Sequence, residues 1–196
     1  MAHKDYAKQL FLDLVASHRG VYELKAVTSL TKEHEAQLLT YLYLLGLQHG
    51  KLVNFRTPKV ESRFVNATIP RNERIGFSVC AKEYTGPDHL CDCVVALLRD
   101  WGTCLTVSLY LDAIVHLLGG FERVERLLPL SRSGNELGSQ RFHVISLDEA
   151  IHLTAFSDVN DAYDKQVNRL LLLSPLRAIH RINIAAHRVT FTTVAI

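Results

Sequence analysis

This sequence of 196 residues contains little cysteine, tryptophan, methionine or proline. It has four cysteines without a Cys-x-x-Cys pair, one tryptophan, one methionine and five scattered prolines. The cysteines give no disulfide framework, and the prolines mark no low-complexity linker. Residues 1–5 lack the apolar core of a signal peptide, so we expect a cytoplasmic protein with reduced thiols.

Long hydrophobic runs and a charge excess of one sign are also missing. The longest weakly charged stretch, residues 104–121, contains Asp112, and a membrane span would bury that carboxylate. The formal net charge of +2 excludes a histone-like basic protein. The charge is uneven, because residues 1–80 hold 11 Lys/Arg against 7 Asp/Glu while residues 81–196 hold 11 against 13. The first part is therefore the one suited to face an anion.

Apolar periodicity predicts helices and strands mixed along the whole chain, which indicates an α/β or α+β layered fold. The first part is predicted to hold a strand, a helix and two strands, at 21–27, 31–45, 51–55 and 60–65. The second part is predicted to hold helices at 88–101, 105–118 and 159–173 and strands at 122–130, 140–146, 150–156, 178–184 and 188–194. Residues 68–87 are predicted to be a boundary region in which 76–81 can form a strand.

Residues 21–65 align with residues 150–194 without a gap, at a constant offset of 129. Identical pairs include Gln37/Gln166 and Asn54/Asn183, and both segments have the same predicted order of strand, helix, strand and strand. The alignment predicts an internal duplication. Its alternative is that two unrelated units share a similar core pattern.

Three charged residues interrupt apolar strand-like runs near the start of the chain. Glu23 and Lys25 are two positions apart, so they share one face of a strand. Asp13 can join them if its own strand is a neighbour, and two carboxylates from adjacent strands can hold Mg²⁺ or Mn²⁺. The alternatives are a simple ion pair for Glu23 and Lys25 and an edge-strand charge that blocks aggregation for Asp13.

The helix that follows carries polar residues on one side. Gln37 and Tyr41 are four positions apart and share a helical face. Gln can orient a carboxylate or phosphate, and Tyr can bind a phosphate oxygen or stack on a base. A solvated Gln beside a half-buried Tyr is the alternative. Further basic residues follow on the last two strands and suit either a nucleic-acid backbone or a solvated sheet edge. They are Lys51, Arg56, Lys59 and Arg63.

The order of these residues resembles that of the PD-(D/E)XK nuclease superfamily, in its branch with a Gln-x₃-Tyr helix. Asp13 is followed by nine residues, then Glu23-x-Lys25, then Gln37-x₃-Tyr41, and the segments ELKAV and HEAQLL are similar to the GxxExxY family. The resemblance covers residues 9–66. It implies a restriction-endonuclease-like fold, α/β with a mixed sheet flanked by helices. It also implies metal-dependent phosphodiester cleavage, with Asp13 and Glu23 as metal ligands, Lys25 as catalytic lysine and Gln37 and Tyr41 as supporting residues.

The chain also departs from the family's pattern. No Gly-x-x-Glu-x-x-Tyr helix precedes Asp13, so the first unit is expected to lack the first helix and its acidic residue. Residues 102–110 resemble that helix in the second half, with Cys104 and Val107 at the Gly and Glu positions. There the Asp position is expected at His143 or Val144, the Glu at His152 and the Lys at Thr154. We therefore expect a truncated unit with the catalytic motif at 1–75 and a degenerate unit at 76–196.

The sequence thus predicts a nuclease-like protein that uses Mg²⁺ or Mn²⁺ to cleave DNA, with nucleic acid as its partner. The alternative is a non-catalytic relative that binds nucleic acid or a protein, and a homo-oligomer is compatible with either. A third hypothesis is a zinc-stabilised interaction module built on His89, Cys91 and Cys93. These three residues also precede a helical run, where cysteine is more often a small buried hydrophobe.

Overall fold

The computed structural model describes residues 1–16, 20–157 and 161–196. The elements of the first half are β1 (Ala2–His3), β2 (Tyr6–Ala7), β3 (Leu14–Ala16), β4 (Gly20–Lys25), α1 (Lys32–Leu45), β5 (His49–Asn54), β6 (Glu61–Asn66) and α2 (Arg71–Ile75). Those of the second half are β7 (Ser78–Glu83), α3 (Asp88–Trp101), α4 (Val107–Leu117), α5 (Phe121–Val124), β8 (Glu125–Arg132), β9 (Asn135–Val144), β10 (Glu149–Thr154), α6 (Asp161–Leu173), β11 (Ala178–Ile184) and β12 (Arg188–Ala195).

The strands form two mixed sheets and a small hairpin. The first sheet has the order β3-β4-β5-β6, with β4 and β5 parallel and both outer pairs antiparallel. The second sheet has the order β7-β12-β11-β10-β9-β8, and β1 pairs with β2 separately. Helices flank both sheets, which confirms the predicted α/β class and is consistent with a restriction-endonuclease-like fold.

Helix α1, which carries Gln37 and Tyr41, has a capping residue at each end. Thr31 is the N-cap of α1, and its backbone N–H donates to His34 Nδ1 at 3.0 Å. Glu33 and Glu35 lie in the first turn, where the helix dipole favours negative charge. Gly46 ends the helix with φ 67°, a left-handed conformation that glycine adopts without a steric penalty.

Three hydrophobic clusters hold the helices on the sheets. Leu38 and Leu42 of α1 pack with Val21 and Leu52 on one face of the first sheet. On the second sheet, α6 covers one face through Leu171, while α3 and α4 contribute to a larger cluster on the other. The opposite face of the first sheet is exposed to solvent. Its outward residues include Leu14, Leu24 and Phe64.

The two aligned segments share strand order and register. Val21 pairs with Gly50 and Lys25 with Asn54 in the first sheet, and Ala150 pairs with Ile179 and Thr154 with Asn183 in the second. Each of these pairs in one segment has its equivalent 129 residues later in the other. The antiparallel pairs that follow, β5 with β6 and β11 with β12, keep the same offset.

The register also corrects one sequence expectation. Leu14 pairs with Tyr22, and His143 pairs with Ile151, so β9 is the equivalent of β3. The position of Asp13 therefore falls on Phe142, and the expectation of His143 or Val144 is wrong by one or two residues. The error arose because the polar hairpin before β10 offers no apolar alternation with which to place its register.

Other differences lie at element ends. The strand expected at 122–130 begins only at Glu125, because residues 121–124 form the short helix α5. The strand within the expected boundary region is β7, which joins the second sheet parallel to β12. The predicted helix at 159–173 is α6, and residues 159 and 160 lie outside the described residues. In the part of the chain that the structure describes, no helix is long and apolar enough to cross a membrane.

Candidate nuclease site

Glu23 and Lys25 lie side by side on β4 and face α1. The alternation of the strand directs Val21, Glu23 and Lys25 to the helix side, and Val21 belongs to the cluster beneath α1. Glu23 is only 2% exposed, and Lys25 Nζ donates to its Oε1 at 2.7 Å. A buried carboxylate thus has a close cationic partner from its own strand.

Gln37 and Tyr41 extend this pair across to α1. Lys25 Nζ also donates to Gln37 Oε1 at 2.9 Å, and Gln37 Nε2 donates to the Tyr41 hydroxyl at 3.0 Å. The four side chains form one hydrogen-bonded series, with Lys25 and Gln37 in the middle. Gln37 orients its oxygen to the ammonium because its amide nitrogen is committed to Tyr41.

Asp13 approaches the same strand from β3. Because Leu14 pairs with Tyr22 in an antiparallel ladder, Asp13 lies across from Glu23 one step further along. Its Oδ2 accepts a hydrogen bond from the backbone N–H of Leu24 at 2.8 Å, and its side chain is exposed. The structure therefore brings all five candidate residues to one end of β4, with Asp13 bound to the backbone.

The donor set fits a hard divalent cation. Glu23 Oε2 is buried and has no hydrogen-bond partner within the described residues. An unsatisfied buried carboxylate oxygen is costly, and a bound cation would satisfy it. In the same part of the chain, no three His, Cys, Asp or Glu side chains form a group that could hold a metal. Two carboxylates with several waters is the ligand set that Mg²⁺ usually takes.

A comparison with known protein families gives a match for about the first third of the chain. Residues 2–65 match the family model of the PD-(D/E)XK nuclease superfamily. The match extends from β1 to β6 and includes all five candidate residues, and we call it the nuclease-like unit. Searches among curated proteins and among solved structures gave no match.

The basic residues of the nuclease-like unit do not form one patch. Lys51 lies on the exposed face of the sheet, with its Nζ 4.9 Å from the ring centroid of Phe64. Arg63 lies on the opposite face and forms an ion pair with Glu35 of α1. Arg56 and Lys59 are exposed in the β5–β6 turn. The expected rim is therefore divided, because alternate residues of β5 and β6 point to opposite faces.

The second half places different chemistry at the equivalent positions. His152, Thr154 and Phe142 stand where the first half has Glu23, Lys25 and Asp13. Burial and the nearby Arg181 lower the pKa of His152. Arg181 is itself buried and forms an ion pair with Asp164 of α6. This cluster lacks the paired carboxylates of the first half, as the sequence indicated for His152 and Thr154.

Sequence reasoning noted Asn54 only as a matched position and missed its structural role. Asn54 is fully buried, its Oδ1 accepts from the N–H of Val27 at 3.1 Å, and its Nδ2 donates to the carbonyl of Val27 at 2.9 Å. Asn183 makes the same two bonds to Phe156, which is the equivalent of Val27. The ungapped coincidence of the two asparagines was the signal. Asn54 fixes the chain where it leaves β4 after Lys25.

The zinc hypothesis finds no support in the described residues. His89, Cys91 and Cys93 lie in the first turns of α3. Residues two apart on a helix point in nearly opposite directions, so Cys91 faces away from the other two. The Cys91 thiol lies against Tyr84, and burial raises the pKa of both Cys91 and Cys93. Raised thiol pKa values fit cysteines that act as small buried hydrophobes.

Proposed function

We propose that this protein is a metal-dependent nuclease that cleaves DNA phosphodiester bonds at Asp13, Glu23 and Lys25. The observation that carries the proposal is the unpartnered, buried Oε2 of Glu23 beside Lys25. A buried carboxylate oxygen without a partner is costly, and such atoms occur most readily where a bound ligand supplies the missing partner. The superfamily match over residues 2–65 gives the chemistry that this ligand would serve.

Each residue has a role that follows from its contacts. Glu23 and Asp13 would hold Mg²⁺ or Mn²⁺, and such an ion lowers the pKa of bound water and neutralises phosphate charge. Asp13 would give up its bond to the Leu24 amide for this purpose. Lys25 places an ammonium where negative charge develops on the phosphate. Gln37 holds that ammonium in place, and Tyr41 fixes the amide of Gln37.

A specific observation favours the alternative, a non-catalytic protein that binds nucleic acid or a protein partner. Each candidate metal ligand already has an internal partner on one oxygen, because Glu23 Oε1 is paired with Lys25 and Asp13 Oδ2 with a backbone amide. A chain with a permanently closed site would keep the fold and lose the reaction. The two proposals therefore differ in whether a divalent ion displaces these contacts.

The finer assignments are also proposals. We propose membership of the GxxExxY family, a cytoplasmic location and a unit boundary near residue 75. We also propose that residues 21–65 and 150–194 arose by duplication, which their common register and the two asparagine clamps support. Tyr6 contributes to the large cluster of the second half, so the two units share a core. Homo-oligomerisation is compatible with each of these proposals.

A cleavage assay with a matched variant tests the catalytic proposal. Wild type, Glu23→Gln and His152→Gln are each incubated with DNA in Mg²⁺, in Mn²⁺ and in EDTA. Because Glu23→Gln removes a charge at the reacting centre, we expect its rate to fall about 10²–10³-fold. His152→Gln changes the equivalent position of the second half and should retain the wild-type rate.

The same experiment separates the alternatives. Equal cleavage by all three proteins under every condition would indicate a contaminating nuclease and would contradict the catalytic proposal. No cleavage above the EDTA control, together with DNA retention by wild type in a mobility assay, would establish the non-catalytic protein. Calorimetric titration with Mn²⁺ adds a readout independent of turnover, because Glu23→Gln should lose the binding heat.

A further inference from the structure

Arg74 is a buried cation whose charge no carboxylate balances within the described residues. Arg74 is 1% exposed, and its guanidinium donates to the carbonyls of Trp101 at 3.1 Å and Thr103 at 3.2 Å. The guanidinium carbon lies 4.2 Å from the ring centroid of Tyr43. Its Nε has no hydrogen-bond partner in the same part of the chain. Burial lowers the pKa of Arg74, as expected for a cation removed from water without a counter-charge.

A cavity of about 410 Å³ lies against this side chain, between α1, α2 and the end of α3. Arg74 and Arg71 line it, and so do the aromatic side chains of Tyr41, Tyr43 and Trp101. Arg71 is exposed and donates to the carbonyl of Asp100 at 2.9 Å. The volume falls within the range of small-molecule sites. Two guanidinium groups beside three aromatic rings are suited to a ligand with an anionic and a planar part.

The acidic group at the cavity forms no ion pair with either arginine in the part of the chain that the structure describes. The Asp100 carboxylate also lines the cavity, but its Oδ2 lies 2.9 Å from His3 Nδ1. The apolar remainder of the wall includes Leu10 and Leu44. An anion that enters would meet Arg71 at the mouth and Arg74 at depth, in surroundings that strengthen charge-assisted hydrogen bonds.

We propose that this cavity binds one nucleotide unit, with its phosphate on Arg71 and Arg74 and its base against Trp101 and Tyr43. The choice of a nucleotide over another aromatic anion rests on the proposed function. Tyr41 lines the cavity and also ends the series that runs through Gln37 to Lys25. The nucleotide would therefore neighbour the bond that is cut.

Trp101 provides a direct test, because it is the only tryptophan of the chain. Full-length Glu23→Gln protein in EDTA is titrated with thymidine 5′-monophosphate while the fluorescence of Trp101 is followed. Thymidine and inorganic phosphate are titrated in parallel. We expect saturable quenching with the monophosphate and at least tenfold weaker binding of either part, because each part loses about 1.4 kcal/mol or more of contact energy.

Two variants locate the site. Arg71→Ala alters an exposed residue, so the protein should fold, and its dissociation constant for the monophosphate should rise about tenfold. Arg132→Ala removes an equal charge from the β8–β9 hairpin and should leave the constant unchanged. No quenching by the monophosphate, or equal constants for Arg71→Ala and wild type, would overturn the proposal. The ligand has no phosphodiester bond and the titration contains EDTA, so this result does not depend on whether the protein is a nuclease.

Discussion

The two aligned segments, residues 21–65 and 150–194, have one backbone pattern and different polar side chains at equivalent positions. Asn54 and Asn183 make the same bonds to Val27 and Phe156, yet Glu23 is replaced by His152. The backbone pattern depends on strand alternation and on one buried amide, and many sequences satisfy those requirements. The site depends on a few side chains, which can change without altering any strand. Shared topology is therefore evidence for the fold of the second unit and not for its chemistry.

The units also differ in what covers the outer face of each sheet. Leu24 is 39% exposed, while its equivalent Leu153 is 8% exposed within the cluster under α3 and α4. Lys51 reaches solvent, while His180 at the same position is 1% exposed. One face of the nuclease-like unit thus stays open, whereas the central strand β11 of the second sheet is buried on both faces. The open face explains why Lys51 and Phe64 can be tolerated there.

We expect the largest difference in stability between a variant at Lys25 and a variant at its equivalent, Thr154. Lys25→Met leaves the buried Glu23 carboxylate without its cation, which should destabilise the protein by about 3 kcal/mol. Thr154→Val loses only neutral hydrogen bonds, to Asn183 Oδ1 and to Tyr163, and should cost about 1–2 kcal/mol. Urea unfolding at pH 7 measures both values.

A second substitution shows whether the buried charge causes the loss. The double variant Glu23→Gln/Lys25→Met removes both charges and should recover most of the lost stability. Addition of Mn²⁺ should stabilise Lys25→Met more than wild type, because the ion no longer competes with the ammonium. Equal destabilisation by Lys25→Met and Thr154→Val would contradict the view that the Glu23–Lys25 pair is a buried ion pair.

The two asparagine clamps should give equal and smaller effects. Asn54→Ala and Asn183→Ala each remove the two hydrogen bonds to one backbone residue and at least one further hydrogen bond, so each should lower the free energy of unfolding by about 2–3 kcal/mol. Only Asn54→Ala should also slow cleavage, because Phe55 N donates to the carbonyl of Lys25 next to the clamp. A gap of more than about 2 kcal/mol between the two losses would show that the clamps are not equivalent.

The sequence predicted the elements best where apolar periodicity was strong. Helix α3 and strand β11 have the predicted bounds, because Leu90, Val94 and Leu97 recur at helical spacing and three isoleucines lie within the seven residues of β11. The β8–β9 hairpin was poorly bounded, since residues 135–141 are exposed and lack an apolar alternation. The pairing of β7 with β12 depends on contacts more than 100 residues apart, which local pattern cannot reveal.

For the candidate site as well, local sequence pattern predicted some features and not others. Spacing of two on β4 and of four on α1 was enough to expect that Lys25 shares a face with Glu23 and that Gln37 shares one with Tyr41, because strand and helix periodicity fix which residues lie on the same side. The burial of Arg74 and the ion pair between Arg181 and Asp164 had no local signal. Both require knowledge of which elements pack together. The catalytic roles of the site residues stay predictions.

The smallest effect concerns pH and follows from the covered position of His180. Burial lowers the pKa of His180, and a hydrogen bond to Glu149 only partly opposes this. The unfolded chain, whose histidine pKa is about 6.5, therefore binds the proton more readily than the folded chain. Stability should be complete above pH 6.5 and should fall as the pH decreases below it, because protonation favours the unfolded state.

His180→Gln and Lys51→Gln test this at equivalent positions of the two units. Chemical denaturation between pH 5 and 8 should show a shallower acid loss for His180→Gln than for wild type. Lys51→Gln should keep the wild-type slope, since Lys51 lies on the open face of the first sheet. Some slope should persist in His180→Gln, because burial also lowers the pKa of His143 and His152. An unchanged slope in His180→Gln would mean that the covered face accommodates the charged imidazole. Covering this face of the sheet would then have no effect on the pH dependence of stability.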